Sequence, residues 1–175
     1  MIEPQWATDD IKIPLKAVIS SVARKQKIEH RWMNDELEIW ASPEARNTIF
    51  AQAYEQNIIL FRGESILILA APFEWALERK IRSIALSERG KKIDLDMEDA
   101  LAIFRHFRKA SQGPLDMEYF RYLNMNGFDI LPERHHLEKI ATLYQNKYKV
   151  DLFNPATDPG ESSTSACSEW SWSEE

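Results

Sequence analysis

Residues 66–81 have the sequence Ile-Leu-Ile-Leu-Ala-Ala-Pro-Phe-Glu-Trp-Ala-Leu-Glu-Arg-Lys-Ile, in which a proline separates an apolar run from a helical pattern. The apolar run predicts a strand. The apolar stretch 57–61 predicts a second strand, joined to the first as a hairpin by the glycine-containing turn 62–65. Continuously apolar strands are usually covered on both faces. A helix over 72–86 follows at once, so we expect it to pack on this sheet.

The predicted helix 72–86 carries a charge on its apolar face. At about 100° per residue, Lys80 falls among Phe73, Leu77 and Ile84. An ammonium directed at a core needs a carboxylate, a ligand phosphate or water. Lys80 therefore either snorkels to solvent or pairs with the acids of residues 92–99. The outward face is predicted to carry Glu74, Glu78, Arg79 and Arg82.

Before the hairpin, the sequence predicts two helices and two short strands. Residues 11–13 alternate in polarity and predict a strand, which an amphipathic helix over 14–27 follows. Residues 36–40 alternate acids with apolar side chains, as a half-exposed strand does. Ser42 and Pro43 then predict the N-cap and first position of another helix.

After the hairpin and the helix 72–86, only helices are predicted. One begins near Asp96, where Asp96 and Asp99 have the spacing of a helix cap and a first-turn acid. Two more helices cover 115–123 and 133–148, with Gly127 between them at a left-handed position. The last helices predict a second packing surface, formed by Phe120, Leu123, Leu137, Ile140, Ala141 and Tyr144.

This order of elements predicts an α+β fold, with a small mixed sheet covered by helices and a helical C-terminal part. Residues 1–110 are expected to form the α/β part, and residues 111–150 the helical part. Residues 151–175 are expected to form an acidic, serine-rich and disordered tail. Within that tail, Trp170 and Trp172 suggest a docking motif for a protein partner, tuned by phosphoserines.

Composition restricts the possible partners and compartment. The chain has 175 residues and a net charge of −6, and residues 151–175 hold six acids and no Lys or Arg. Residues 1–150 are therefore neutral overall, which makes nucleic acid an unlikely partner. No apolar run is long enough to span a membrane, and the N-terminus lacks the features of a signal peptide. With Cys167 as the single cysteine, we expect an intracellular protein, cytoplasmic or nuclear.

Four stretches in a fixed order carry a family resemblance. Trp-Met-Asn-Asp at 32–35 precedes the apolar strand and proline of 66–72, the lysine-bearing helix 74–81 and the segment 92–100 with its Asp-x-x-Asp pair. Over about residues 6–108, this order resembles the nucleotidyltransferase-like fold families, including uncharacterised relatives of the abortive-infection nucleotidyltransferases.

The resemblance implies a partial nucleotidyltransferase-like fold and a nucleotide site at Lys80, Asp96 and Asp99. It also implies that Asp10 is the first acid of a catalytic Asp-x-Asp pair, which in the family binds the divalent metal for nucleotidyl transfer. In this sequence Lys12 stands where the second acid belongs. A cation at that position opposes Mg²⁺ binding. The family's glycine-rich turn is also missing from the nine residues before Asp10.

Three hypotheses follow. The favoured one is a degenerate nucleotidyltransferase-like domain without catalysis, which acts as a binding or scaffold module and needs no cofactor. The second is a Mg²⁺-dependent enzyme that transfers NMP from an NTP to a protein or RNA, with Glu36 or Glu38 replacing the missing acid. The third is an N-terminally truncated chain that lacks the first strand and glycine turn. In that case Lys12 is the only departure from the family's pattern.

Overall fold

The computed structural model describes residues 8–29, 33, 41–64, 66–86, 91–127 and 130–155. Within these residues, six helices and one antiparallel hairpin give an α+β architecture. The predicted strand 36–40 lies outside the described part of the chain. In chain order the elements are α1 (Asp9–Gln26), α2 (Pro43–Gln56), β1 (Ile59–Arg62), β2 (Leu67–Leu69), α3 (Phe73–Leu86), α4 (Lys91–Ala110), α5 (Met117–Arg121) and α6 (Arg134–Tyr148).

The main core lies between α3 and α4 and continues onto α5 and α6. It forms because the apolar stripes of these helices face one another, as their 3.6-residue spacing requires. The residues predicted to form a second packing surface therefore belong to this same core. The core includes residues on both sides of residue 110, where the sequence predicted the boundary between two parts. Its buried members are Leu77, Ile81, Ile84, Met97, Ala100, Leu101, Phe104, Leu115, Phe120, Leu137, Ile140, Tyr144, Leu152 and Phe153.

The end of the described chain is fixed to this core. The backbone N–H of Leu115 donates to the carbonyl oxygen of Leu152 at 2.8 Å, and that of Asn154 donates to Leu115 at 2.9 Å. The ring of Phe153 meets that of Phe104 edge-on at 5.4 Å between centroids. Leu152 and Phe153 thus form part of the packed domain, although the sequence assigns them to the tail.

Helix α2 begins as predicted and also sets the start of α3. The Ser42 hydroxyl accepts a hydrogen bond from the Ala45 backbone N–H at 3.1 Å. At the other end of α2, Gln56 Oε1 accepts from the Phe73 N–H at 3.0 Å, and Gln56 Nε2 donates to the Ala71 carbonyl at 3.2 Å. One side chain thereby satisfies an otherwise unpaired donor of the α3 N-terminus.

The hairpin contradicts the prediction that both of its faces are covered. All four residues of β1 are exposed, with Leu60 at 67% and Phe61 at 54%. An irregularity in register lies between Ile59 and Phe61. The apolar composition indicated a strand correctly, but composition does not show what packs on it. Helix α3 packs mainly on α4 rather than on the hairpin.

The predicted strand at 11–13 is wrong, because these residues lie inside α1. Three alternating residues are compatible with either a strand or a helix. Asp9 and Asp10 occupy the first turn of α1, where acids are favoured by the helix dipole. Pro14 lies inside the helix and removes one backbone donor there.

Candidate functional site

Lys80 lies in the middle of α3 and contacts two carboxylates of α4. Its ammonium is 2.7 Å from Asp96 Oδ1 and 2.7 Å from Asp99 Oδ2. The Lys80 side chain is 30% exposed, that of Asp96 is 8% exposed and that of Asp99 is 57% exposed. Of the two alternatives for Lys80, the structure shows the pairing with the acids of 92–99, and this pairing joins the two central helices.

Asp96 and Asp99 lie one turn or more inside α4 rather than at its start. Because the helix begins at Lys91, the prediction that they cap its N-terminus is wrong. Their separation of three residues places them on one side of the helix, which here faces α3. The Ser83 hydroxyl, also on α3, donates to Asp96 Oδ2 at 2.6 Å. The buried carboxylate of Asp96 is thus bound by two residues of the neighbouring helix.

The two carboxylates keep Lys80 charged. Burial by itself lowers the pKa of this ammonium, since the charged form loses water. The hydrogen bonds to Asp96 and Asp99 outweigh burial, and the net effect raises the pKa of Lys80 above its ordinary value. The Lys80 ammonium therefore keeps its positive charge at neutral pH while it contacts both carboxylates.

The enzyme hypothesis places its Mg²⁺ at Asp10, and the Lys80 cluster does not offer a second position for that ion. The Lys80 ammonium is already the cation between the two carboxylates, so a metal at that point meets electrostatic repulsion. Within the described ranges, no three His, Cys, Asp or Glu side chains are grouped so that they could hold a metal ion.

Asp10 does not occupy the position that the resemblance implies. It is exposed in the first turn of α1, so the strand needed to present an Asp-x-Asp pair is absent at residues 9–13. Asp9 and Asp10 are adjacent on a helix and point about 100° apart, which does not direct both at one cation. Glu36 and Glu38, the proposed substitutes, lie outside the described residues.

A second charged pair on α3 was predicted incorrectly. Glu78 and Arg82 were expected on the outward face, but they are 2% and 7% exposed. Arg82 Nε donates to Glu78 Oε1 at 2.9 Å. Arg82 also donates to the carbonyls of Leu123, at 3.0 Å, and Ile130. Glu78 Oε2 accepts the Met125 backbone N–H at 2.7 Å.

This buried pair attaches the connection between α5 and α6 to α3. Nearby, Trp75 Nε1 donates to Asn126 Oδ1 at 2.9 Å, which adds a third anchor to the same connection. The sequence signal was the i,i+4 spacing of Glu78 and Arg82, which is typical of helix-surface ion pairs. That spacing predicts the pairing but does not predict that another part of the chain covers it.

An open groove of about 530 Å³ lies between α4 and α6, away from Lys80. Its wall mixes charged and apolar residues without the carboxylates that bind Lys80. The lining residues are Asp94, Met97, Glu98, Leu101, Leu143, Asn146 and Lys147.

The remaining predictions concern a protein partner of the tail and a membrane. Trp170 and Trp172, the predicted docking residues, lie outside the described part of the chain. None of the helices in the described part has both the length and the apolar character needed to cross a membrane.

Comparison of the chain with protein-family models, curated proteins and solved structures finds no match.

Proposed function

We propose that this chain is a nucleotidyltransferase-like domain that no longer catalyses nucleotidyl transfer and acts as a binding or scaffold module. The observation that carries the proposal is the ion-pair cluster of Lys80, Asp96 and Asp99. The resemblance assigns these three side chains to nucleotide binding. In the structure the Lys80 ammonium instead contacts a carboxylate oxygen of each acid at 2.7 Å. They therefore stabilise the packing of α3 on α4 without requiring a ligand.

The N-terminal segment supports the same proposal. A nucleotidyl transfer site needs carboxylates that converge on a metal, which then bridges phosphate oxygens. In this chain Asp10 is on the exposed first turn of a helix, and Lys12 takes the place of the second acid. Of the acids that the second hypothesis needs, Asp10 therefore lies on a helix rather than on a strand.

The structure offers surfaces suited to a binding role. The hairpin exposes large apolar side chains, and exposed apolar groups of this kind commonly mark interaction sites. The contact between α3 and α4 includes both the core and the Lys80 cluster, so these helices keep a packed core without a ligand.

A thermal-shift titration tests the proposal. ATP, CTP, GTP and UTP are added at about millimolar concentration, with and without Mg²⁺ or Mn²⁺. A ligand present at about 100 times its Kd stabilises the native state by about 2.7 kcal/mol. For a domain of this size that is a shift of roughly 5–10 °C. We expect no metal-dependent shift and no pyrophosphate release.

Two variants test whether a thermal shift depends on Lys80. Lys80→Ala removes the proposed phosphate contact, and Lys139→Ala removes an exposed lysine of α6 as a matched control. A shift that needs no metal and disappears only in Lys80→Ala identifies a nucleotide as the ligand of a binding module. A shift that needs Mg²⁺ and is accompanied by pyrophosphate release establishes the enzyme and refutes the proposal.

A further inference from the structure

The exposed apolar surface of the hairpin is the starting observation. We call it the hairpin patch. Phe61 pairs with Ile68, which places both side chains on one face of the hairpin, together with Ile66 two residues before Ile68. Phe61 is 54% exposed, Ile66 is 50% exposed and Ile68 is partly exposed. The two strands pair only with each other within the described residues. The patch consists of Phe61, Ile66 and Ile68, and Ile59 and Leu67 belong to the opposite face.

A hairpin with this composition is costly when left in water. Two-stranded hairpins are marginally stable on their own. Open strand edges with apolar side chains also promote pairing with other chains, and proteins usually protect them with charges, bulges or a covering segment. Arg62 and the irregularity between Ile59 and Phe61 protect β1 in part. Strand β2 has no charged residue of its own.

The chain carries a segment suited to cover this patch. Residues 169–173 have the sequence Glu-Trp-Ser-Trp-Ser, in which apolar and polar side chains alternate. In an extended segment, Trp170 and Trp172 point to one side, and Ser171 with Ser173 point to the other. Each tryptophan can bury roughly 150–250 Å² of surface. The two rings, on one side of the segment, are therefore large enough to cover the three side chains of the hairpin patch.

The length of chain after the last described residue permits this contact. Fourteen residues separate Pro155 from Trp170, and at about 3.3 Å per residue they reach up to roughly 46 Å. A domain of about 155 residues has a radius of gyration near 15 Å. The segment can therefore reach most of the domain surface. Tethering at this distance gives an effective concentration of about millimolar, which favours a contact within one chain over one between chains.

We propose that residues 169–173 of the same chain dock on the hairpin patch, with the rings of Trp170 and Trp172 packed against Phe61 and its neighbours. This contact goes beyond the proposed function and does not depend on it. It covers the apolar side chains of the patch with a segment of the same chain.

Cys167 makes a direct test possible. It is the only cysteine and lies three residues before Trp170. A nitroxide attached to Cys167 of the full chain broadens the NMR signals of amides near the tail. We expect selective loss of signal intensity at residues 59–69, relative to the same sample with the nitroxide reduced. Trp170→Ala/Trp172→Ala should restore these signals, whereas the matched control Ser171→Ala/Ser173→Ala should leave the broadening unchanged.

A mixed sample separates contact within one chain from contact between chains. Nitroxide-labelled protein without isotope is combined with ¹⁵N-labelled protein that carries no nitroxide. Contact within one chain predicts no broadening in this mixture. The proposal is overturned by broadening in the mixture, by no broadening of 59–69 in the labelled chain, or by broadening that survives the tryptophan double variant. Each of these results leaves the nucleotide titration unaffected, so the two proposals fail separately.

Discussion

At the scale of single residues, the two carboxylates that bind Lys80 are not equivalent. Asp96 is almost fully buried and also accepts the Ser83 hydroxyl, whereas Asp99 is more than half exposed. An exposed ion pair contributes little, because water and salt screen it. A buried carboxylate that loses its charge-assisted hydrogen bonds costs considerably more. The burial of each acid therefore decides its contribution to stability.

We predict that Asp96→Asn lowers the free energy of unfolding by about 2 kcal/mol, which is the range for hydrogen bonds to charged groups. Asp99→Asn has the same chemistry at the exposed position and should cost less than about 0.5 kcal/mol. Urea denaturation of both variants measures the difference. Equal losses in the two variants contradict the unequal roles that burial assigns to them.

His136 is predicted to make stability depend on pH. Burial, followed by the neighbouring His135, lowers the pKa of His136 below its ordinary value of 6.5. The folded state therefore resists protonation, while the unfolded state takes up a proton as the pH falls through 6.5. The contribution of His136 is complete above pH 6.5 and is lost at lower pH.

Urea midpoints at pH 7.5 and pH 5.5 test this effect. His136→Gln cannot titrate, so its midpoint should fall less between the two pH values than that of the unmodified protein. If the urea midpoint falls equally in both proteins, the pH dependence comes from groups other than His136.

At the scale of elements, the Glu78–Arg82 pair determines how the α5–α6 connection sits on α3. The pair is buried, and together its members bind backbone groups of Leu123, Met125 and Ile130. Removing one member of a buried pair leaves the other charge uncompensated, which typically costs 3–5 kcal/mol. Replacing both with apolar residues avoids that cost.

A double-mutant cycle should therefore show strong coupling. Arg82→Met alone is expected to lower the free energy of unfolding by about 3 kcal/mol, and Glu78→Leu alone by a similar amount. The double variant should cost clearly less than the sum of the two, because neither charge is then stranded. Additive losses indicate that the two residues act independently.

Gly127 lies in the same connection, with φ of +73°, as the sequence predicted. A Cβ added there contacts nothing within 4 Å, so the expected cost of Gly127→Ala is that of the backbone alone. We predict a loss of roughly 1–2 kcal/mol. Gly113→Ala is the control, since Gly113 is outside the left-handed region and a Cβ there makes only an ordinary contact, 3.8 Å from the Ser111 carbonyl oxygen. Equal stability of both variants refutes the conformational explanation.

At the scale of the whole molecule, one core joins the central helices to the end of the described chain. Phe153 contacts Phe104 of α4 and Phe120 of α5. Phe153→Ala is expected to lower the free energy of unfolding by about 3–5 kcal/mol, because a large buried ring leaves a cavity. Tyr54→Ala removes a ring from the exposed surface of α2, where Tyr54 is 65% exposed, and should cost less than about 1 kcal/mol. Calorimetry of both variants tests whether the C-terminal residues belong to the core.

The long helices were predictable because their signals are local. Ser42 and Pro43 start α2, and the predicted helix 72–86 matches α3 within one residue. The stripe from Met97 to Phe104 faces the core as its spacing requires. The candidate site was also partly predictable, since a charge among apolar residues needs a nearby partner, and Asp96 and Asp99 supply it.

The amino-acid sequence by itself determined the helix periodicities, the turn at Gly127 and the need of Lys80 for a counter-ion. Only the tertiary structure decided that Glu78 and Arg82 are buried and that the hairpin is exposed. The physical reason is that periodicity and capping act over a few neighbouring residues. Burial depends on which distant segment covers a surface, and no local pattern specifies that segment.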